Sequence, residues 1–452
     1  METFDLAIIG SGSGNSIPEE LADWNIALIE ESVFGGTCLN KGCIPSKMFV
    51  LPGDRVVEAQ EAKSIGVDQT TNNVDWNSIR DRVFGRIDPI AQDGLDYRKS
   101  MDNITVFEAR AEFVSDKKLK LSTGEEIEAD KILIATGARP FVPPIEGLDA
   151  SRYHTSDSIM RLEEFPETMA IIGAGFIAAE MGHVFSSYGC NVTMFNRGDR
   201  LLKAQDPDIS EAFAKEFGKR VNLRLGTLPT KVSDAGDKIE LTFEDGSTET
   251  YAELLVAVGR TPNTDNLGLE NTNIEVADRI VAVDKAMKTS VDGVFAVGDA
   301  ANKFQLKHVA NAEAKVAFHN IASTDAEREV SYKGVPGAVF SNPQVATVGL
   351  TETQATEAGA DFVVGRTDYG GTAYGWAMED QSSFCKVLVD RSSLLVLGAH
   401  IIGPQAATLI QPIIQAISLD LTAEQLARGS YYIHPALTEV VENATLDAIS
   451  KT

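Results

Sequence analysis

Phe4-Asp5-Leu6-Ala7-Ile8-Ile9-Gly10-Ser11-Gly12-Ser13-Gly14-Asn15 is an apolar run that opens into alternating glycines. Its plan returns at Met169-Ala170-Ile171-Ile172-Gly173-Ala174-Gly175-Phe176-Ile177-Ala178. Each run predicts a buried parallel strand, then a glycine turn, then a helix. A further apolar strand follows each, from Ile26 to Glu30 and from Asn191 to Phe195. Such a strand–helix–strand unit binds dinucleotides: glycines let the backbone approach a pyrophosphate, whose charge then meets the positive helix start. One such fingerprint is a weak signal, but two in one chain are a strong one. The first has Asn15 where a third glycine is expected, with Gly14 beside it, and the second ends in Ala178, an accepted substitute. Two later strands, Ile132-Leu133-Ile134-Ala135-Thr136-Gly137 and Leu254-Leu255-Val256-Ala257-Val258-Gly259-Arg260, follow the fingerprints in the same order. A third, Gly293-Val294-Phe295-Ala296-Val297-Gly298-Asp299-Ala300, ends in an acid.

A chain of 452 residues is too long for one compact core and predicts two to four domains. Its net charge of −26 argues against nucleic acid and anionic membranes as partners. Any phosphorylated cofactor must then be held by backbone N–H groups or a few basic residues. The start, Met1 to Asp5, carries no positive charge, and the apolar run Phe4 to Ile9 is too short for a signal peptide or a membrane span. A cytoplasmic location is therefore expected. From about Ser331 the pattern changes: Val339 to Val348, Cys385 to Val389 and Leu394 to Ile401 read as strands, Ala407 to Leu419 and Glu439 to Ile449 as helices. This predicts a separate α+β domain with an antiparallel sheet.

Two of the four cysteines lie five positions apart in Gly35-Gly36-Thr37-Cys38-Leu39-Asn40-Lys41-Gly42-Cys43-Ile44-Pro45-Ser46-Lys47. A regular helix separates such a pair by about 7.5 Å along its axis, whereas a disulfide needs Cα atoms within roughly 7 Å. The pair closes only if the first turn is distorted or the helix begins after Cys38. Gly42 and Pro45 supply that irregularity. A bridge over so short a loop removes little chain entropy, so the pair reads as a redox-active dithiol rather than a staple. Cys190 and Cys385 read as small buried apolar residues, and His154, His183, His319 and His400 show no metal-ligand spacing. No metal site is expected.

Glu30 stands twenty positions past Gly10 and suits the adenosine ribose of FAD or NAD. The second unit has no acid there. Its strand ends Phe195-Asn196-Arg197-Gly198-Asp199-Arg200-Leu201-Leu202-Lys203, where Arg197 and Lys203 suit a 2′-phosphate, so NADPH is favoured over NADH.

With Val297-Gly298-Asp299-Ala300 and His434-Pro435-Ala436-Leu437-Thr438-Glu439, these segments resemble the flavoprotein disulfide reductases over essentially the whole chain. The resemblance implies an α/β fold of two Rossmann-like dinucleotide-binding domains plus a C-terminal α+β dimerisation domain. The FAD-binding domain would comprise 1–150 and 270–330, the NADPH-binding domain 151–269 and the interface domain 331–452. It implies FAD and NADPH as cofactors, a small-molecule disulfide as substrate and a homodimer. Cofactor-binding positions would be Gly10, Gly12, Gly14, Glu30, Gly36, Thr37, Ala135, Thr136, Gly137, Gly173, Gly175, Ala178, Arg197, Lys203, Gly259, Arg260, Gly298, Asp299 and Ala310. Electrons would pass from NADPH through the flavin to a Cys38–Cys43 disulfide. Cys43 would be the charge-transfer thiolate at the flavin and Cys38 the thiol that attacks substrate. His434 would serve as acid–base, oriented by Glu439, both from the partner subunit, and Lys47 and Glu180 would pair near the flavin N5. Asp299 would bind the ribityl chain, with His308 to Ala310 close to the ring.

Four stretches resemble one branch of the family, whose substrate is the disulfide of a sugar-bearing thiol: Gly10 to Ser16, Val83 to Ile90, Tyr374 to Asp380 and Leu409 to Pro412. The other readings are a dihydrolipoamide dehydrogenase, which would use NAD, another low-molecular-weight disulfide reductase, or a redox-silent flavoprotein that senses nicotinamide.

Overall fold

In a computed structural model of the chain, residues 2–323 and 326–452 are described. The chain forms two compact units: Met1–Pro45 with Ser78–Phe141 and Gly259–Tyr332, and Ser46–Asn77 with Val142–Val258 and Lys333–Thr452.

The first unit is built on a parallel sheet in which Ile104–Glu108, Ile26–Glu30, Glu2–Ile9, Glu126–Ile134 and Val294–Ala296 lie side by side in that order. Ile26 to Ile29 are all buried, which is why these strands read as unbroken apolar runs: both faces of the sheet are covered. Leu6, Ile8, Ile26, Leu28 and Leu133 point to one face, with Ala314, Ala317 and Phe318 of the Lys307–Ala322 helix. Ala7, Ile9, Ala27, Ile29 and Ile134 point to the other, with Phe113, Leu119 and Leu121 of an antiparallel meander.

The second unit repeats the parallel order with Asn222–Leu225, Asn191–Asn196, Thr168–Ile172 and Glu253–Val256. It adds a three-stranded meander over Lys231–Ala235, Lys238–Thr242 and Thr248–Tyr251. A five-stranded antiparallel sheet then runs Pro336–Val339, Val345–Gly349, Val396–Ile402, Phe384–Asp390 and Phe362–Asp368, and the Glu439–Ile449 helix packs on it. In that sheet Lys386 is 1% exposed and is bonded to Asp206, Asp208 and Glu352. Burial alone would lower its pKa, but the three carboxylates hold it above the usual lysine range.

Three expectations are corrected. No helix follows the first fingerprint: two three-residue 3-10 turns, Ser13–Asn15 and Glu19–Leu21, take its place. Pro18 explains this, because it carries no N–H and disfavours helical geometry at Ile17. The run Val339 to Val348 is two strands, Pro336–Val339 and Val345–Gly349, separated by the turn-forming Ser341-Asn342-Pro343. The run Ala407 to Leu419 is two short helices, Ala406–Leu409 and Gln411–Ser418, divided at Ile410 with Pro412 in the first turn of the second.

Candidate active site

The cysteine segment starts from two glycines in the left-handed region, Gly35 (φ 100°) and Gly36 (φ 71°). A Cβ on Gly36 would stand 2.7 Å from Cα of Gly12, so the first fingerprint turn presses directly on this segment. The helix Gly36–Asn40 is one turn long and ends where Lys41 N–H donates to Thr37 O. Buried Asn40 ties the turn down by donating to Phe34 O (2.9 Å) and Gly36 O (3.0 Å). A second helix, Cys43–Glu61, then begins at Cys43 itself, with Pro45 in its first turn. The break between the two helices falls where the spacing required it. Cys38 is half-buried, Cys43 is exposed, and their side chains share a hydrogen bond. That bond and burial push the Cys38 thiol well above the ordinary range, opposed by the Lys307 charge.

Around this segment lies the first cradle. A Cβ on Gly10 would stand 2.3 Å from Ala135 O, and one on Gly14 would stand 2.9 Å from both Ala135 Cβ and Ile8 Cγ2. Gly14 thus supplies the close packing for which the third glycine is usual. Glu30 accepts from Ser11 N–H (2.9 Å), Ser11 hydroxyl (2.7 Å) and Ser32 N–H (2.9 Å). A carboxylate has about four acceptor positions, so one remains for a ribose hydroxyl. Thr136 and Asn263 bond each other through Thr136 Oγ1 to Asn263 O and Asn263 Nδ2 to Thr136 O, both 2.9 Å, beside Gly137. Thr37 is exposed one residue before Cys38. Asp299 sits in the 3-10 turn Gly298–Ala300, its pKa raised by burial and partly offset by Arg260, whose Nε is 3.9 Å away. Gly298 N–H donates to buried Glu313 (2.7 Å), and Ala310 packs against Gly298.

The second unit repeats the arrangement. A Cβ on Gly173 would stand 2.2 Å from Ala257 O, the counterpart of Gly10 against Ala135. Gly175 caps the Phe176–Ser187 helix and faces open space where a Cβ would go, while Ala178 is fully buried. Gly259, likewise open, lies with Arg260 in the first unit. Asn196 folds its own turn by donating to Gly198 O (3.0 Å), and Arg197 and Lys203 are exposed beyond it. Both cradles fit the cofactors expected: close backbone approach, helix start or turn, and an acid in the first but cations in the second.

Lys47 and Glu180 meet at 2.9 and 2.8 Å through both carboxylate oxygens. Glu180 is 3% exposed and also accepts from Phe340 N–H (3.0 Å), so its carboxylate is buried and held in place, while Lys47 is half-buried. A second pair joins the same two helices and was not foreseen. His183 Nε2 lies 2.9 Å from Asp54 Oδ1, with Arg220 on its other nitrogen. The signal was present, since His183 is three positions after Glu180 and Asp54 is seven after Lys47, both helical repeats.

His434 Nδ1 lies 2.8 Å from Glu439 Oε1, and Glu439 also accepts from Ala436 N–H. Glu439 opens the terminal helix. His434 is exposed, with Nε2 left for proton exchange.

A nucleotide-binding repeat with a dithiol on the first copy defines a class. The chain belongs to the pyridine nucleotide-disulphide oxidoreductase family, whose pattern matches residues 4–314, and the pattern of the family's dimerisation domain matches residues 335–445. It is 47% identical over 456 residues to "Mycothione reductase" of Mycobacterium tuberculosis (strain ATCC 25618 / H37Rv), covering 99% of each chain. It is 33% identical to "Dihydrolipoyl dehydrogenase" of Chlamydia muridarum, over 99% of this chain and 97% of the other. Its fold overlays the flavoprotein disulfide reductase RclA of Escherichia coli with a TM-score of 0.86 at 27% identity, over 99% of both chains. The protein is an FAD- and NADPH-dependent disulfide oxidoreductase. When bound, these cofactors supply hydride and two-electron transfer.

Proposed function

We propose that the chain reduces mycothione, the disulfide of mycothiol, to two thiols at the expense of NADPH and a proton. The observation that carries this reading is the 47% identity along the full chain to a mycothione reductase, against 33% for a dihydrolipoyl dehydrogenase. NADPH selection rests on Asn196, Arg197 and Lys203, which offer amide and cationic groups where a carboxylate would repel a 2′-phosphate.

Cys38 gives up its proton to His434 and attacks one sulfur of the substrate, forming a mixed disulfide and releasing the first thiol. Cys43 then attacks Cys38, releasing the second thiol and forming the intramolecular disulfide, which two electrons from NADPH reduce again. His434, held by Glu439, delivers the proton to the first departing thiolate. In this reading the protein is a homodimer, and His434 of the partner subunit, with Glu439 of the partner subunit, completes each site. Lys47 with Glu180 serves the flavin, Asp299 binds its ribityl chain, and Tyr374, Trp376 and Glu379 are candidates for the sugar. Domain limits of 1–150 with 270–330 for FAD, 151–269 for NADPH and 331–452 for the interface belong to the same proposal. So does a cytoplasmic location, where NADPH is kept reduced.

NADPH oxidation with mycothione, oxidised glutathione and lipoamide side by side tests the substrate. Preference for mycothione is expected. Preference for either other disulfide would overturn the substrate assignment and leave the disulfide chemistry intact. Preference for NADH with lipoamide would make the protein a dihydrolipoamide dehydrogenase.

A further inference from the structure

The first fingerprint lacks the helix whose positive end normally receives a pyrophosphate, and a three-residue turn cannot replace that dipole. Two cations flank the turn instead. Lys307 Nζ donates to Ser13 Oγ at 3.0 Å. Arg98 donates through Nε to Asn15 Oδ1 (2.7 Å) and through Nη2 to Asn15 O (2.8 Å). Both are half-buried. Neither pairs with a carboxylate among the described residues, in a chain with 66 acids and 40 bases. Desolvation without an opposite charge is costly, and burial lowers the pKa of Arg98 accordingly. Lys307 is further disfavoured as the first residue of a sixteen-residue helix, where the dipole repels a cation. A half-buried lysine without a carboxylate partner, held against a glycine turn, points to an anion that belongs beside it.

We propose that Lys307 and Arg98 together replace the missing helix at the FAD pyrophosphate: Lys307 supplies the positive charge and Arg98 the backbone support. The division follows from what each touches. In a continuing helix the carbonyl of Asn15 would accept from the N–H four residues on, at Glu19. That carbonyl here accepts from Arg98, so Arg98 is a positioning residue that holds the turn in shape. Lys307 is held by Ser13 in the middle of the fingerprint, next to Gly12, where the backbone presses on the cysteine segment. Its field also reaches Cys38 and lowers that thiol's pKa.

The inference rests on FAD occupying the first cradle, and the flavin absorbance of the holoenzyme reports that separately. The test is the rate at which diluted holoenzyme releases FAD, followed by the rise of free-flavin fluorescence at low and high salt. Release from the parent should accelerate with salt. Lys307→Met should release FAD about tenfold faster or more at low salt, with little further response to salt, and Lys307→Arg should stay near the parent. Arg98→Met should release FAD faster but keep the salt response. Salt-independent release from the parent, or parent-like release from Lys307→Met, would overturn the proposal. So would a Lys307→Arg variant as fast as Lys307→Met, which would make the lysine a packing residue.

Discussion

Nδ1 of His434 and Oε1 of Glu439 stand 2.8 Å apart across five residues of chain, with the ring exposed and the carboxylate largely covered. The carboxylate accepts from Nδ1 and so fixes the ring's tautomer and orientation, leaving Nε2 to face outward. His434→Gln should lower disulfide turnover by about a hundredfold to ten-thousandfold. Glu439→Gln keeps an acceptor for Nδ1 but removes the charge, and its loss should be smaller. Reduction of the bound flavin by NADPH, followed by stopped-flow absorbance, should be unaffected in both. A slowed flavin reduction would show that the pair does more than move the substrate's proton.

Cys38 is half-buried and Cys43 exposed, at the start of its helix, so the two sulfurs of the dithiol are not equivalent. Cys43→Ser should lose the long-wavelength charge-transfer band of the two-electron-reduced protein, whereas Cys38→Ser should keep it. Both should lose disulfide reduction. Anaerobic titration with NADPH makes the measurement. A band that survives Cys43→Ser would reverse the roles.

Arg197 and Lys203 are exposed at the end of the second nucleotide strand. A charge-assisted hydrogen bond contributes about 1.5–3 kcal/mol. Arg197→Glu with Lys203→Glu should raise the KM for NADPH at least about tenfold and leave the KM for NADH nearly unchanged. Equal losses for both nucleotides would place the 2′-phosphate elsewhere.

The parallel strands were legible because residues such as Ile26 to Ile29 are covered on both faces, leaving no polar interruption. The meander over Lys231–Tyr251 was not, because its first two strands mix Lys231, Asp234, Lys238 and Glu240 with few apolar residues. The glycine pattern points to a first helix that Pro18 prevents, because a single proline outweighs the turn that precedes it. In the site, the pairs close in sequence were readable: Cys38 with Cys43 and His434 with Glu439. Ser13 with Lys307, 294 positions apart, and Asp54 with His183, 129 apart, meet only through the fold.

Gly173 and Gly175 share a motif but differ in what a methyl group would meet. At Gly173 it would strike Ala257 O at 2.2 Å on a backbone with φ 136°, and at Gly175 it would enter open space. Gly173→Ala should lower the melting temperature and the soluble yield. Gly175→Ala should fold like the parent and weaken NADPH binding, because the methyl group fills space kept for the pyrophosphate. Thermal unfolding together with nucleotide titration separates the two. An unchanged NADPH affinity in Gly175→Ala would remove this glycine from the cofactor site.

His183 and His400 are both fully buried, and burial lowers the pKa of each below the usual histidine value, opposed by Asp54 for His183 and by Asp206 for His400. Each ring is satisfied as a neutral group: His183 by Asp54 and Arg220, His400 by Thr347 (2.6 Å) and Leu350 O (3.0 Å). The folded pKa values lie below the unfolded value of about 6.5, so below that pH the unfolded chain binds protons that the native chain refuses. Stability contributed by the neutral rings is therefore present above about pH 6.5 and lost as pH falls toward the folded values. Each proton contributes a slope of about 1.4 kcal/mol per pH unit. Urea unfolding from pH 8 to pH 5.5 should show the parent losing stability below about pH 6.5. The double variant His183→Gln, His400→Gln, though less stable at neutral pH, should lose less of its remaining stability over the same interval. Parallel pH profiles for parent and variant would mean that these rings take up their protons without unfolding.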